Sequence, residues 1–281
     1  MKVGRARNLA AERFRKAGVE SPGFEADLLL EWASGLSRAF LHSHPERDLS
    51  AEVCARFQGA IERRCRREPF QHITGEACFF GLSLESSRGA LVPRPETEIL
   101  VETALANFTG GFFIDWGTGS GCIAAAILVN RPRAFCLAVE RSPAALQVAW
   151  RNLKKHGLLS RTLLWHGKEP WNVPVKSEAA DLVVSNPPYI PDARILSLMP
   201  EVRLYDPREA LSGGNDGLDA YRALLPWAFQ ALKSEGFLVL EIGGQEQERE
   251  VRNLAGSFRF AGTFRDYQGH PRVLVLKKER V

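Results

Sequence analysis

Four consecutive residues, Asn186-Pro187-Pro188-Tyr189, carry the most readable chemistry of this chain. They follow the apolar run 180–185 as a loop follows a strand, and loops at strand ends are where α/β sheets meet ligands. The Asn side chain offers a carbonyl oxygen. Proline lacks a backbone donor and fixes φ, so the Pro187 carbonyl can be aimed outward without joining a local turn. The two acceptors can each take one N–H of a flat NH2 group, and the Tyr189 ring can stack on its face. Asn186, Pro187, Pro188 and Tyr189 are therefore the candidate substrate holder, with Asn186, Pro187 and Tyr189 as its catalytic members. A surface turn after a strand would use the same residue types, so the rest of the chain must decide.

A second motif lies upstream. Phe112-Phe113-Ile114-Asp115-Trp116 leads into Gly117-Thr118-Gly119-Ser120-Gly121 and then a small, apolar run from Cys122, which reads as strand, glycine loop and helix. Alternating glycines let backbone approach a ligand and leave N–H groups at the helix start pointing at it. The next apolar run, 134–139, ends in Glu140, 19 residues beyond Gly121, where a carboxylate can accept from two ribose hydroxyls. A dinucleotide fingerprint would place a glycine where Cys122 stands, and the Gly-Lys-Ser/Thr of a phosphate loop is missing. The pattern fits S-adenosylmethionine, which has a ribose and a methionine end but no pyrophosphate. Gly117, Thr118, Gly119, Ser120 and Gly121 would cradle the methionine end and Glu140 the ribose, with Asn186 shared between cofactor and substrate. Asp115 either holds the methionine ammonium or braces the loop. Trp171 is placed over the adenine, against the alternative of a core tryptophan.

With these motifs the chain resembles the peptide chain release factor glutamine N(5)-methyltransferases, the HemK/PrmC family, over nearly its whole length. The resemblance extends to Gln71-His72-Ile73-Thr74-Gly75-Glu76, Phe79-Phe80-Gly81-Leu82, Val92-Pro93-Arg94-Pro95-Glu96-Thr97-Glu98 and the stretch Ala210 to Leu218. Trp116 stands where the family usually has Leu, Glu140 where Asp is commoner, and Gly167-Lys168 where Gly-Asp is usual. The resemblance implies methyl transfer from S-adenosylmethionine to the side-chain amide of a glutamine in the Gly-Gly-Gln loop of class I release factors, with S-adenosylhomocysteine as product. Two other readings share the motifs. One is methylation of an exocyclic amine on a flipped adenine or cytosine in DNA; the other is a non-catalytic, cofactor-binding interaction module.

Composition bounds these readings. The 281 residues are 45% hydrophobic, enough for one large domain or two. A net charge of +4 lacks the concentrated basicity of a nucleic-acid binder, so no stable nucleic-acid contact is expected. Five scattered cysteines without Cys-x-x-Cys spacing point to reduced thiols, a cytoplasmic location and no metal. No run is long and apolar enough for a membrane span, and a monomer is expected.

The elements that must position these residues divide the chain in three. Residues 1–70 show helical spacing (Leu9, Phe14, Ala17; Leu28 to Trp32; Val53, Phe57, Ile61) and read as a helical bundle that recognises the substrate protein. Within it, Arg63, Arg64, Arg66 and Arg67 read as a solvated helix end rather than a docking patch. Residues 71–92 read as a β-hairpin linker. Residues 93–281 alternate strand and helix, with strands at 112–115, 134–139, 162–165, 180–185, 236–242, 258–266 and 272–277. The expected class is α/β, a seven-stranded Rossmann-like methyltransferase domain, its strand order implied by the resemblance. Arg94, Glu96 and Thr97 would shape the wall of the site, and Gly213, Gly214 and Gly217 a tight loop beside it.

Overall fold

The structure, a computed structural model, describes residues 1–167 and 172–279. The chain divides into two compact units, Met1–Glu76 with Met199–Tyr205, and Ala77–Leu198 with Asp206–Val281.

The first unit holds helices α1 (Val3–Lys16), α2 (Pro22–Ser34), α3 (Arg38–Ser43), α4 (Ala51–Cys65) and α5 (Phe70–Thr74). Val3, Ala6, Ala10 and Phe14 form one face of α1 at three- and four-residue spacing. They bury against Leu29 and Leu30 of α2 and Phe57, Ala60 and Ile61 of α4. Ser50 caps α4 by accepting from Val53 N at 3.2 Å. Of the four arginines at the end of α4, Arg66 is exposed as the solvated reading expects, while Arg63, Arg64 and Arg67 depart from it. Arg64 is buried, pairing with both carboxylate oxygens of Glu25 and, at 2.9 Å, with Glu201. Arg67 reaches the same Glu201 at 2.6 Å through two nitrogens, and Arg63 grips Glu68 at 2.8 and 2.9 Å. The physical reason lies 137 residues away: segment 199–205 brings Glu201 into this unit, and a charge pattern read along one helix does not contain it. His42 bonds Asp27 at 2.7 Å, and the His44 ring stacks on Phe40.

The second unit opens with the hairpin β1 (Glu76–Phe79) and β2 (Leu82–Glu85). There follow α6 (Thr97–Asn107), β3 (Gly111–Trp116), α7 (Cys122–Asn130), β4 (Ala134–Glu140), α8 (Pro143–Lys155), β5 (Thr162–His166) and β6 (Ala180–Ser185). Three short helices come next, α9 (Asp192–Ile195), α10 (Pro200–Tyr205, part of the first unit) and α11 (Arg208–Leu211). The chain closes with α12 (Asp219–Ala231), β7 (Leu232–Glu241), α13 (Gln245–Leu254), β8 (Arg259–Arg265) and β9 (Pro271–Lys277). The seven strands run β5-β4-β3-β6-β7-β9-β8, parallel from β5 to β7, with β9 antiparallel to both β7 and β8. The doubly wound sheet expected from the sequence is what forms.

Strand alternation sorts the core into two faces. Phe113, Leu182, Val184 and Val239 pack with α6 and α7 on one side, whereas Ile114, Val183, Leu238 and Leu240 pack with α12 on the other. Helix α7 is apolar all round because it is buried all round, from Cys122 to Leu128. Strands β3 and β6 are neighbours although 180 begins more than sixty residues after 111, so the order reverses between them. Their C-terminal ends, and those of β4 and β7, carry the candidate residues. No described helix is long and apolar enough to cross a membrane.

Candidate active site

A cavity of about 460 Å³ opens at these strand ends, lined among others by Arg94, Thr97, Gly117, Glu140, Asn186 and Pro188. Its two halves are built differently.

On the β3–β4 side, backbone and carboxylates make the site. Gly117 and Gly119 take left-handed φ values of 75° and 56°, and a side chain on Gly117 would project into open space. Trp116, Thr118, Gly119 and Ser120 also line the cavity. Gly121 has another function: a Cβ there would stand 3.1 Å from Ala149 Cα, so this glycine lets α7 approach α8. Asp115 is fully buried, and its Oδ2 accepts from Thr118 Oγ1 at 2.6 Å and Ala124 N at 3.1 Å, bracing the loop. Burial pushes its carboxyl up to about 7; the two bonds pull the other way and the nearby Glu140 charge adds to the rise. Glu140, at the end of β4, accepts from Gly119 N and Ser142 N, both at 2.8 Å. Burial raises its carboxyl too, against those backbone bonds. A carboxylate has about four lone-pair sites, so acceptor capacity remains for a diol. Behind the loop the fully buried Asn152 accepts from Glu85 N at 2.6 Å and donates to Ser120 O at 2.9 Å, tying hairpin and α8 to the glycine loop.

On the β6–β7 side, side chains do the positioning. Asn186 and Pro188 line the cavity, and Pro187 between them is buried. Asn186 Nδ2 donates to Thr97 Oγ1 at 3.1 Å, Thr97 Oγ1 donates to Glu241 Oε2 at 2.7 Å, and Tyr189 OH donates to Glu241 Oε1 at 3.2 Å. Tyr221 OH donates to the Glu241 carbonyl at 2.7 Å. The Tyr189 ring packs on the α12 face of the core, its orientation set by the bond to Glu241. Gln247 Nε2 donates to Tyr189 O at 3.1 Å and to Gly217 O at 2.9 Å, and a Cβ on Gly217 would stand 2.5 Å from that Tyr189 carbonyl. The glycine loop 213–217 is thus packed against the holder. Arg94 reaches the cavity while pairing with the buried Asp206.

Of the residues singled out in the sequence, the cavity gathers Gly117, Thr118, Gly119, Ser120, Glu140, Asn186, Pro188, Arg94, Thr97 and Gly214. Gly121, Pro187, Tyr189 and Glu96 stand beside or behind it. Trp171 and Lys168 lie outside the described residues. Glu241, Gln247 and Asn152 were not read from the sequence. The signal for Glu241 was a single carboxylate closing the apolar run 237–240. No group of three or more His, Cys, Asp or Glu side chains suited to a metal ion occurs among the described residues.

A sheet of this order, with a glycine loop after β3 and a buried acid ending β4, defines the S-adenosylmethionine-dependent methyltransferases. The residues fit that cofactor: the loop has a face without side chains, and Glu140 keeps acceptors for a ribose. Residues 5–75 match the PrmC N-terminal domain family and residues 95–200 the methyltransferase small domain family. A release factor glutamine methyltransferase of Caulobacter vibrioides is 42% identical over 274 residues, 95% of this chain and 93% of that protein. One from Moorella thermoacetica is 40% identical over 281 residues, 98% of each chain. A methyltransferase structure from Pyrococcus furiosus shares the fold with a TM-score of 0.52 at 20% identity, over 72% of this chain and 91% of that one. The chain belongs to the release factor glutamine methyltransferase family.

Proposed function

We propose that this enzyme methylates the side-chain amide nitrogen of a glutamine in a release factor, the Gly-Gly-Gln loop of class I factors being the substrate the resemblance implies. The observation that carries the chemistry is the engagement of Asn186 Nδ2 by Thr97. With one Nδ2 hydrogen on Thr97, Asn186 turns its oxygen, an acceptor, to the ligand side beside the rigid Pro187-Pro188 step. An acceptor pair suits an NH2 group.

When bound, S-adenosylmethionine supplies an electrophilic methyl group on a sulfonium and leaves as S-adenosylhomocysteine. The loop 117–120 and Glu140 hold its methionine end and ribose. Asn186 Oδ1 and the Pro187 carbonyl accept the two amide hydrogens of the glutamine, fix the plane of that amide and aim its nitrogen. Such orientation is worth ~7–11 kcal/mol in favourable cases. As the nitrogen gains positive charge its N–H groups become better donors, so the same two acceptors hold the transition state more strongly than the ground state. A proton then leaves the nitrogen to water, and no general base need act first. Tyr189 buttresses the holder through its hydroxyl on Glu241; its ring packs in the core beside the cavity, so support of the holder, not the stacking expected from the sequence, is the role its position favours. The first unit is assigned the recognition of the protein substrate, because one side chain offers far less than the ~1,200–2,000 Å² of a stable interface.

The test is incubation with methyl-labelled S-adenosylmethionine and, separately, release factor, release factor with its loop glutamine replaced, and duplex DNA. Label on the intact factor alone supports the proposal. Label on DNA would favour the exocyclic-amine reading, and label on neither a cofactor-binding module.

A further inference from the structure

We propose that Glu241 is a positioning residue that sets the direction of hydrogen bonding at the substrate holder, acting through Thr97 on Asn186. The inference rests on the acceptor function given above to Asn186.

A primary amide is nearly symmetric in shape: turned by 180° about its terminal bond, Asn186 would present NH2 where it should present oxygen. Facing a substrate NH2, that orientation sets donor against donor. Thr97 alone cannot prevent it, because a hydroxyl both donates and accepts. Glu241 removes the ambiguity. An ionised carboxylate only accepts, so the Thr97 hydroxyl, 2.7 Å from Oε2, must point its hydrogen at Glu241. The Thr97 oxygen is then left to accept, and at 3.1 Å it takes the Asn186 NH2. Asn186 Oδ1 is thereby directed to the ligand.

The surroundings hold Glu241 to this task. Both of its carboxylate oxygens are occupied, Oε2 by Thr97 and Oε1 by the Tyr189 hydroxyl, and Tyr221 ties its carbonyl. Only 1% of the residue is exposed, so water does not compete as a donor. Its links join α6, the loop after β6 and the end of β7, residues 89 and 144 positions apart in sequence. A carboxylate this buried is costly, and it makes no contribution to the cofactor pocket itself. One polar chain ending on the substrate amide accounts for it.

The experiment compares full-length wild type with Glu241→Gln, Thr97→Val, the double variant, Thr97→Ser and Asn186→Ala. It reads kcat on release factor at saturating cofactor, Kd for S-adenosylmethionine and Tm. Glutamine keeps the shape of Glu241 but both donates and accepts; valine removes only the hydroxyl. The expected result is a fall in kcat of roughly 10–100-fold for Glu241→Gln and for Thr97→Val, with cofactor Kd within about threefold. The double variant falls no further than either alone, because both break one chain. Thr97→Ser restores turnover. The inference is overturned if Glu241→Gln turns over normally while Asn186→Ala is inactive, if the two losses multiply, or if Thr97→Ser is as slow as Thr97→Val. Should Glu241→Gln fail to fold, normal kcat in Thr97→Val overturns it equally well. Unchanged turnover in Asn186→Ala would remove the acceptor reading and this inference with it.

Discussion

The two halves of the cavity place their acids at equivalent points, Glu140 at the end of β4 and Glu241 at the end of β7, yet use them differently. Glu140 lines the cavity and is held by backbone N–H groups of Gly119 and Ser142, 21 and 2 positions away. Glu241 lies behind the cavity and is held by side chains, Thr97 and Tyr189, 144 and 52 positions away. A backbone-built half depends on loop shape, so it suits a cofactor that is bound in every turnover. A side-chain-built half depends on the direction of each hydrogen bond, as orienting one amide requires. Damage to the first should therefore appear in cofactor affinity and damage to the second in kcat.

Asn186→Ala gives the largest expected effect: transfer falls by at least ~100-fold, the scale for removing one directed partner of a developing charge. Cofactor Kd, measured by titration beside the transfer assay, stays within a few-fold. Glu140→Ala shows the opposite pattern. Loss of hydrogen bonds to a charged group weakens S-adenosylmethionine by roughly 1.5–3 kcal/mol, about 10- to 150-fold in Kd, and saturating cofactor recovers much of the rate. Glu140→Asp is milder. Equal cofactor affinity in wild type and Glu140→Ala contradicts the division between the halves.

A pH profile sharpens it. Burial lifts the Glu241 carboxyl to about 7, opposed by the bonds from Thr97 and Tyr189 and by the Arg272 charge, with Glu96 adding to the rise and Tyr221 packed alongside. Below that value the carboxyl is protonated and can donate, so the direction of the Thr97 bond is no longer set. Wild-type kcat should rise several-fold as pH passes through about 7 and level off above it. Asp115 has a carboxyl lifted to about 7 as well, so the diagnostic is the difference: Glu241→Gln lacks the part of the rise that belongs to Glu241. Identical profiles would tie the rise to another group.

The smallest change in chemistry is expected from the first unit. Arg64→Ala leaves Glu25 without its partner while Glu201 keeps Arg67, and should lower the stability of that unit by roughly 1–3 kcal/mol, the cost of a partly buried charge left unpaired. Its kcat/KM should drop on whole release factor and stay unchanged on a short glutamine peptide. Equal losses on both would withdraw the recognition role from this unit.

Range along the chain explains what could be read in advance. The sheet and the helical first unit were legible because strand and helix periodicity are local; the strand read at 134–139 forms as β4, Ala134–Glu140. Gly117, Gly119, Glu140 and Asn186 were legible because glycine, a strand-end acid and a proline step are motifs within one loop. Gly121 belongs to the same motif but is required by Ala149, which its neighbours do not reveal. The short helices α9, α10 and α11 carry too few turns to show a period. Glu241, Gln247, Asn152 and the pairing of Arg64 with Glu201 depend on partners brought near by folding alone.

The most direct measurement is a crystal structure of the enzyme with S-adenosylhomocysteine and a Gly-Gly-Gln peptide, refined well enough to place amide groups. The expected result puts the glutamine nitrogen at ~2.7–3.2 Å from both Asn186 Oδ1 and the Pro187 carbonyl, with Asn186 Nδ2 still on Thr97. A glutamine amide bound away from these two oxygens, or an Asn186 turned so that its NH2 faces the peptide, would contradict the account.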